Sequence, residues 1–400
     1  MIGKRPFLVL LALALPLGPQ DLAAQLVPAS PEQRVETREI ALHDCPHLAV
    51  APDRSFEIAW DYSSEDSLGD YRVYGRHFGP DGEPTDAEQV SIGPSVDAFF
   101  YNVIDLLTAL PDGFQVFVRR LTVDHEDYQV DFRQKLGLDG KPAAPLERLT
   151  IGADPVVGPA GSLYFSIHEG RRKNLAIQRV TAGGKLEGRR IVLNTRPIFS
   201  FYPPTIAPQD SGNFVAAWSG FTVEKHPRWV LRARVVRGGT AFGKDFDLNV
   251  TPGGREEGLP LLQGLYLTAD PSSGRFAAVW LLEDRAGDTS IHLRIFDAAG
   301  TPLGPETVAV PSARPVDFLS AALDDSGHLL LLWQPPLGDV LRARLFAADG
   351  TPLGAAFPLQ TTPGSRSCGA VAWDGDSWLI SWLGRGDGDG NAVVWQRFTE

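Results

Sequence analysis

The sequence predicts an all-β fold: a seven-bladed β-propeller whose N-terminal strand completes the last blade. Three observations predict it. A five-residue alternating strand recurs seven times, a glycine-centred hairpin follows most copies at a fixed distance, and the last copy stops one strand short.

The recurring strand is the strongest of the three. Phe56 to Trp60, Phe114 to Val118, Leu163 to Ile167, Phe214 to Trp218, Phe276 to Trp280, Leu329 to Trp333 and Trp378 to Trp382 each place apolar residues at positions one, three and five. That period of two marks a strand with a buried face. The final position is Trp in five of the seven copies, and successive copies lie 58, 49, 51, 62, 53 and 49 residues apart. Such a period fits a four-stranded blade with loop insertions.

A further strand follows, and after five of the copies it ends in an anchor four residues before a glycine. The anchors are Phe78, Leu136, Val180, Phe296 and Phe346, and two residues ahead of them stand Arg76, Gln134, Gln178, Arg294 and Arg344. Turns such as Gly300-Thr301-Pro302 and Gly350-Thr351-Pro352 read as hairpins, because glycine reaches positive φ and proline fixes the exit. Ahead of the Trp strand lie small apolar runs, among them Ala49 to Ala51, Ala321 to Leu323 and Ala370 to Ala372. Small side chains suit the crowded axis, whereas Trp and Phe fill the widening wedge farther out.

The seventh copy ends at Glu400 after its third strand, Val393 to Phe398. An open edge there would expose unpaired backbone groups. The segment Arg34 to Leu42, alternating at Val35, Thr37 and Ile40, is the expected fourth strand. Cys45 and Cys368, the only cysteines, lead into the inner strands of blades 1 and 7, which are neighbours only in a closed ring. They are expected to form a disulfide across the closure.

With its Trp strand, its Arg or Gln before a final Phe and its Gly-Thr-Pro-Leu-Gly turn, the chain resembles the bacterial exported β-propeller repeat proteins, most of them functionally uncharacterised. The resemblance covers residues 34 to 400 and implies the seven-bladed fold.

The N-terminus reads as an export signal. Lys4 and Arg5 precede an apolar stretch from Phe7 to Leu17, and Ala23 and Ala24 offer a cleavage point. The expected division is a signal peptide over 1–24, a linker over 25–33 and the propeller over 34–400, in a secreted or periplasmic protein. No cysteine follows the apolar run to carry a lipid, and no segment approaches the roughly 20 apolar residues of a membrane span. The formal net charge of -12 argues against nucleic acid or anionic lipid as partner, since both are gripped by Lys and Arg. A monomer is expected.

Sites are harder to read. Asp387, Asp389 and Asn391 on a Gly-Asp loop offer alternating oxygen ligands of the kind calcium takes, although the bidentate Glu of an EF-hand is absent. No other cofactor is expected. Acidic loops recur at one blade position, namely Glu65, Asp66 and Asp70, then Asp124, Glu126 and Asp127, then Glu283, Asp284 and Asp288. They are the candidate binding residues of one rim. No zinc-protease, nucleophile-elbow or phosphate-loop motif occurs, so nothing nominates a catalytic residue. The expected function is therefore a non-enzymatic binding or scaffold module that engages a protein or glycan through rim loops. The alternative is a polysaccharide hydrolase or lyase with acidic residues near the central channel.

Overall fold

The structure, a computed structural model, describes residues 26–400 except 37–40, 43–44, 64–70, 95–99, 123–128, 151–155, 170–173, 201–202, 211, 224–226, 252–260, 285, 314–315, 317, 336–339, 360–367 and 386–390. The chain forms seven antiparallel sheets, each of four strand positions, arranged as the blades of a propeller. Blade 1 shows the plan, with an inner strand (His47–Val50), a second (Phe56–Ser63), a third (Tyr71–Phe78) and an outer strand (Val90–Ser91). The second strands of blades 2 to 7 are Gly113–Thr122, Leu163–Glu169, Phe214–Thr222, Phe276–Glu283, Leu329–Gln334 and Trp378–Arg385. All seven recurring strands thus occupy one place in the blade. The inner strand of blade 7 (Gly369–Trp373) lies beside that of blade 1, which closes the ring.

The predicted wedge packing is present. Trp60, Trp218, Trp280 and Trp382 are buried, and each points at the preceding blade: Trp280 packs on Val215, Ala217 and Leu231 of blade 4, and Trp60 on Leu379, Val393 and Trp395 of blade 7. Beside Trp60 and Trp280 lies an aromatic pair built from the first residue of the second strand and the anchor of the third, whereas in blade 4 the anchor opposite Phe214 is Val236. Phe56 and Phe78 stack at 5.0 Å, and Phe276 and Phe296 at 4.9 Å. Burying one such ring contributes about 2–3 kcal/mol, so the interfaces between blades are where the fold gains its stability.

The Arg or Gln before each anchor ties the blade's edge. Gln134 donates to the Ala144 carbonyl at 2.6 Å, Gln178 to Gly188 at 3.0 Å, Arg294 to Gly304 at 3.3 Å and Arg344 to Gly354 at 2.9 Å, always ten residues ahead. The arginines reach farther. Arg344 also donates to Ala309 of blade 5 at 3.0 Å, and Arg76 to Val35 at 2.6 Å, while the guanidinium of each lies over its own anchor ring. One side chain thus fixes the outer strand, the neighbouring blade and the anchor.

Ring closure occurs as expected in kind but earlier in the chain. Val27–Pro28 pairs with Phe398 and Thr399, and Gln33–Arg34 with Val394 and Trp395, so Val27, Pro28 and Gln33, in the segment expected as a linker, take part in the closing strand. Ala41–Leu42, expected in that strand, pairs instead with Tyr62 and Ser63 of blade 1. The alternation at Val35, Thr37 and Ile40 drew the expectation too far along. Proline lacks the N–H of a ladder and is tolerated on an outermost strand, so Pro28 and Pro31 do not prevent pairing there. Leu26 and Val35, both buried, pin its two ends, and the buried Glu36 carboxylate accepts the Val393 N–H at 2.8 Å.

Cys45 and Cys368 form the disulfide, with Cα atoms 5.2 Å apart across 323 residues of chain. Arg397 reinforces the same junction, with Nε 3.2 Å from Asp374 and a hydrogen bond to the Pro80 carbonyl of blade 1 at 2.7 Å. Closing so long a loop contributes about 3–5 kcal/mol in the chain-entropy picture. Replacing both cysteines by serine is expected to lower the melting temperature, read by calorimetry, by several degrees while leaving the far-ultraviolet circular dichroism unchanged. An unchanged melting temperature would show that the backbone pairing closes the ring alone.

Blades 1 and 2 meet around a buried carboxyl. Glu57 is 0% exposed, His77 Nδ1 lies 3.4 Å from its carboxyl, and Gly140 of blade 2 covers both. Gly140 has φ 70°, and a Cβ there would stand 2.4 Å from His77 Cβ, so turn geometry and space both demand glycine. Burial, only partly opposed by His77, pushes the Glu57 carboxyl up to about 7 from 4.5. The folded chain therefore holds this proton more tightly than the unfolded chain, and the associated stability is present below 4.5 and lost as pH rises through about 7. Glu57→Gln is expected to raise stability at pH 8 by roughly 2–3 kcal/mol, with the gain shrinking towards pH 4.5. Denaturant titration at the two pH values checks the sign.

Candidate ligand groove around blade 3

Blade 3 lacks the aromatic residues of the plan at three positions, although Phe165, on the same strand face as Leu163, still packs against blade 2. Where blades 1 and 5 have Phe, Trp and Phe, it has Leu163, Ile167 and Val180. Leu163 and Val180 are cross-strand partners, as the stacked phenylalanines are elsewhere, but they fill less of the wedge. The buried cluster at this interface consists of Phe117, Leu149, Leu163, Val180 and Ala182 and contains no Trp. Among the described residues the inner strand covers Val156–Val157, and it runs into a tight turn over Pro159–Gly161, where Ala160 is held at φ 49°.

Cavities result where aromatic volume is missing. One of about 490 Å³ opens between blades 2 and 3, at the end of the sheets that carries the inner-to-second and third-to-outer turns. A second, of about 410 Å³, continues across blade 3 to Gly212 and Gly238 of blade 4 and shares Ala160, Ser162, Arg179 and Glu187 with the first. Together they form one elongated groove. A third cavity of about 330 Å³ lies against Phe117, Phe132 and Pro204.

The groove has a polar floor. Gln115 is 4% exposed, and its amide Nε2 has no hydrogen-bond partner among the described residues. Buried amide donors are almost always paired, because leaving one unmade costs about 1–3 kcal/mol. Gly161 presses on the same side chain, since a Cβ there would stand 2.2 Å from Gln115 Oε1. On the blade 2 wall, Arg133 donates to Glu147 at 2.9 Å and Lys135 to Asp112 at 2.7 Å. Arg179 is exposed and makes no ion pair with any described residue.

Sequence reasoning placed its candidates elsewhere. Glu65, Asp66, Asp70, Asp124, Asp127, Asp387 and Asp389 lie outside the described residues, and Asn391 begins the third strand of blade 7, its backbone paired with Arg385. Asp284 accepts the N–H groups of Ala286 and Asp288 at 2.8 and 3.0 Å and so closes its own turn. Glu283 and Asp288 flank that turn in blade 5, away from the groove. The sequence signal for the groove is the weak anchors of blade 3, Leu163 and Val180, which an alternating apolar pattern counts as full matches.

Two other polar clusters serve the joints between blades. Ser290 Oγ lies 3.0 Å from His292 Nε2, and His292 Nδ1 lies 2.8 Å from Glu306, an order that resembles a nucleophile, a base and its orienting carboxylate. Glu306, however, also accepts the N–H groups of Val250 and Thr251 in the preceding blade's connection. Burial alone would raise this carboxyl, but the bonds from His292, Thr251 and Val250 hold it at about 2. In blade 4, Asp245 captures the Thr195 N–H in the same way with no histidine involved, so the carboxylate's position belongs to the repeat. His328 similarly bridges Asp324 of blade 6 and Glu400 of blade 7, at 3.2 and 3.0 Å.

No family model matches this chain, and no curated protein matches it. Solved structures that do match include a protein of unknown function from Dyadobacter fermentans, 11% identical, covering 93% of this chain and 98% of its own with a TM-score of 0.46. An α-L-arabinanase from Penicillium chrysogenum is 11% identical over 92% of this chain and 98% of its own, with a TM-score of 0.45. A PL25 ulvan lyase is 9% identical over 93% and 95%, with a TM-score of 0.46.

Proposed function

We propose that this protein is an exported, non-enzymatic binding propeller that seats a glycan or an extended protein segment in the groove around blade 3. The observation that carries this reading is the coincidence of missing aromatic filling, two contiguous cavities and an unpaired buried amide at one place in the ring. Cavities of several hundred Å³ lined by apolar walls with a few fixed polar groups are the usual form of a ligand site. The N-terminal segment and the disulfide across the closure support export, as does the resemblance to bacterial exported propeller repeat proteins.

A polysaccharide hydrolase or lyase needs carboxyls poised by their surroundings and facing a cleft. Burial raises Glu32, Glu36, Glu57 and Asp324, but none of these lines any of the three cavities. The groove is lined by two carboxylates, Glu147 and Glu187, and Glu147 is engaged by Arg133 at 2.9 Å.

Leu163→Phe combined with Val180→Phe rebuilds the stacked pair of blades 1 and 5 and tests the site directly. The double variant is expected to melt higher than the parent, because it fills a cavity, and to lose retention on glycan and peptide arrays on which the parent is held. Retention unchanged by the double variant would displace the groove as the site. Turnover of any arrayed substrate by the parent would replace the binding assignment with the enzymatic one.

A further inference from the structure

Charge is distributed very unevenly around the ring. Residues 174–192, the third and outer strands of blade 3 with their turn, contain four Lys and Arg against one Glu and no Asp, a net +3 in a chain of net -12. The four are Arg179, Lys185, Arg189 and Arg190, all exposed. Arg179 lines both halves of the groove and Arg189 lines the second half. Neither makes an ion pair with any described residue, although an acidic protein has carboxylates to spare for neutralising a cation that has no other use.

We infer that the groove takes an anionic polysaccharide, one carrying carboxylate or sulfate groups at intervals along a hydroxyl-rich chain. The inference rests on the groove being the binding site and names what enters it. At physiological ionic strength fields decay over about 8 Å, so a ligand in the groove responds to blade 3 rather than to the acidic remainder of the ring. Planar guanidinium groups bind carboxylate and sulfate oxygens through two parallel hydrogen bonds. Beside Arg179 the groove offers the Gln115 amide and the Glu187 carboxylate, a donor and an acceptor suited to sugar hydroxyls. The continuity of the two cavities suits a chain rather than a compact molecule. A nucleic acid fits less well, because single strands are gripped by stacking on exposed aromatic faces, and the one aromatic residue in the two cavities, Tyr164, is 9% exposed.

The test measures retention of the intact, disulfide-bonded chain on immobilised polygalacturonate, heparin, neutral dextran, poly-glutamate and single-stranded DNA at 0.15 M and 1 M NaCl. Polygalacturonate, heparin or both should hold the protein at 0.15 M and release it at 1 M, and dextran should not hold it. Arg179→Ala and Arg189→Ala should each weaken binding about 5- to 20-fold, whereas Arg342→Ala, at the exposed start of the third strand of blade 6, should leave it unchanged. Equal retention by poly-glutamate or DNA would show a general cation patch and overturn the glycan class. Retention by dextran that Leu163→Phe with Val180→Phe abolishes would overturn the anionic reading but keep the groove. Retention by polyanions that the double variant leaves intact would overturn the groove itself, and no retention by any polyanion would overturn the anionic reading.

Discussion

The structure depends on filling the wedge between neighbouring sheets. Blades that diverge from a common axis leave a gap that widens outward, and no four-stranded sheet can bury its apolar faces alone. The chain meets this constraint by spending its largest side chains at one depth. Trp60, Trp218, Trp280 and Trp382 project backwards into the preceding blade, and the stacked pairs Phe56–Phe78 and Phe276–Phe296 fill the space beside them. The remaining features of the repeat follow from holding those rings in place. Glycine turns end the third strands, Asp side chains close the turns, and the Arg or Gln before each anchor ties edge carbonyls on both sides of the interface. The same constraint explains closure, because a ring with one unfilled wedge would expose both an apolar face and a strand edge at blades 7 and 1.

Where the constraint is relaxed, the molecule acquires a recess. Leu163, Ile167 and Val180 supply less volume than the aromatic set, and the cavity of about 490 Å³ opens at the interface they face. A site made this way needs no long insertion and no change of fold. It follows from substitutions at three positions of one repeat, with the polar floor coming from Gln115 of blade 2. That position holds Ala277 in blade 5, Leu330 in blade 6 and Leu379 in blade 7, so an amide there departs from the apolar rule. Glu57, the corresponding residue of blade 1, departs from it too, but Gly140 closes over Glu57, whereas an open cavity borders Gln115.

Much of the fold was legible in the sequence because repetition makes a weak signal strong. No single copy of the Trp strand would have established a propeller, but seven copies at blade-length spacing did, and the positions of Cys45 and Cys368 made sense only in a closed ring. The closing strand was misplaced because alternation around Val35 and Ile40 was read without weighing how easily an outermost strand accepts Pro28 and Pro31. The groove was not anticipated because it is defined by what three side chains lack. A periodicity argument counts Leu163 as a match to Phe, although the two differ by the volume of half a ring. Spatial relations such as Ser290 to His292 to Glu306 were legible only in part, since Ser290 and His292 share a strand face but Glu306 arrives from the next strand.

The claim beneath all of this is that aromatic filling sets how tightly each pair of blades is held. Native-state amide hydrogen exchange measures that most directly, because protection reports the free energy of local opening residue by residue. The account predicts that amides of Leu163–Glu169 and Asn174–Val180 exchange through low-energy local openings, while those of Phe276–Glu283 and Thr289–Phe296 are protected close to the global unfolding limit. Equal protection in the two blades, or greater protection in blade 3, would contradict it.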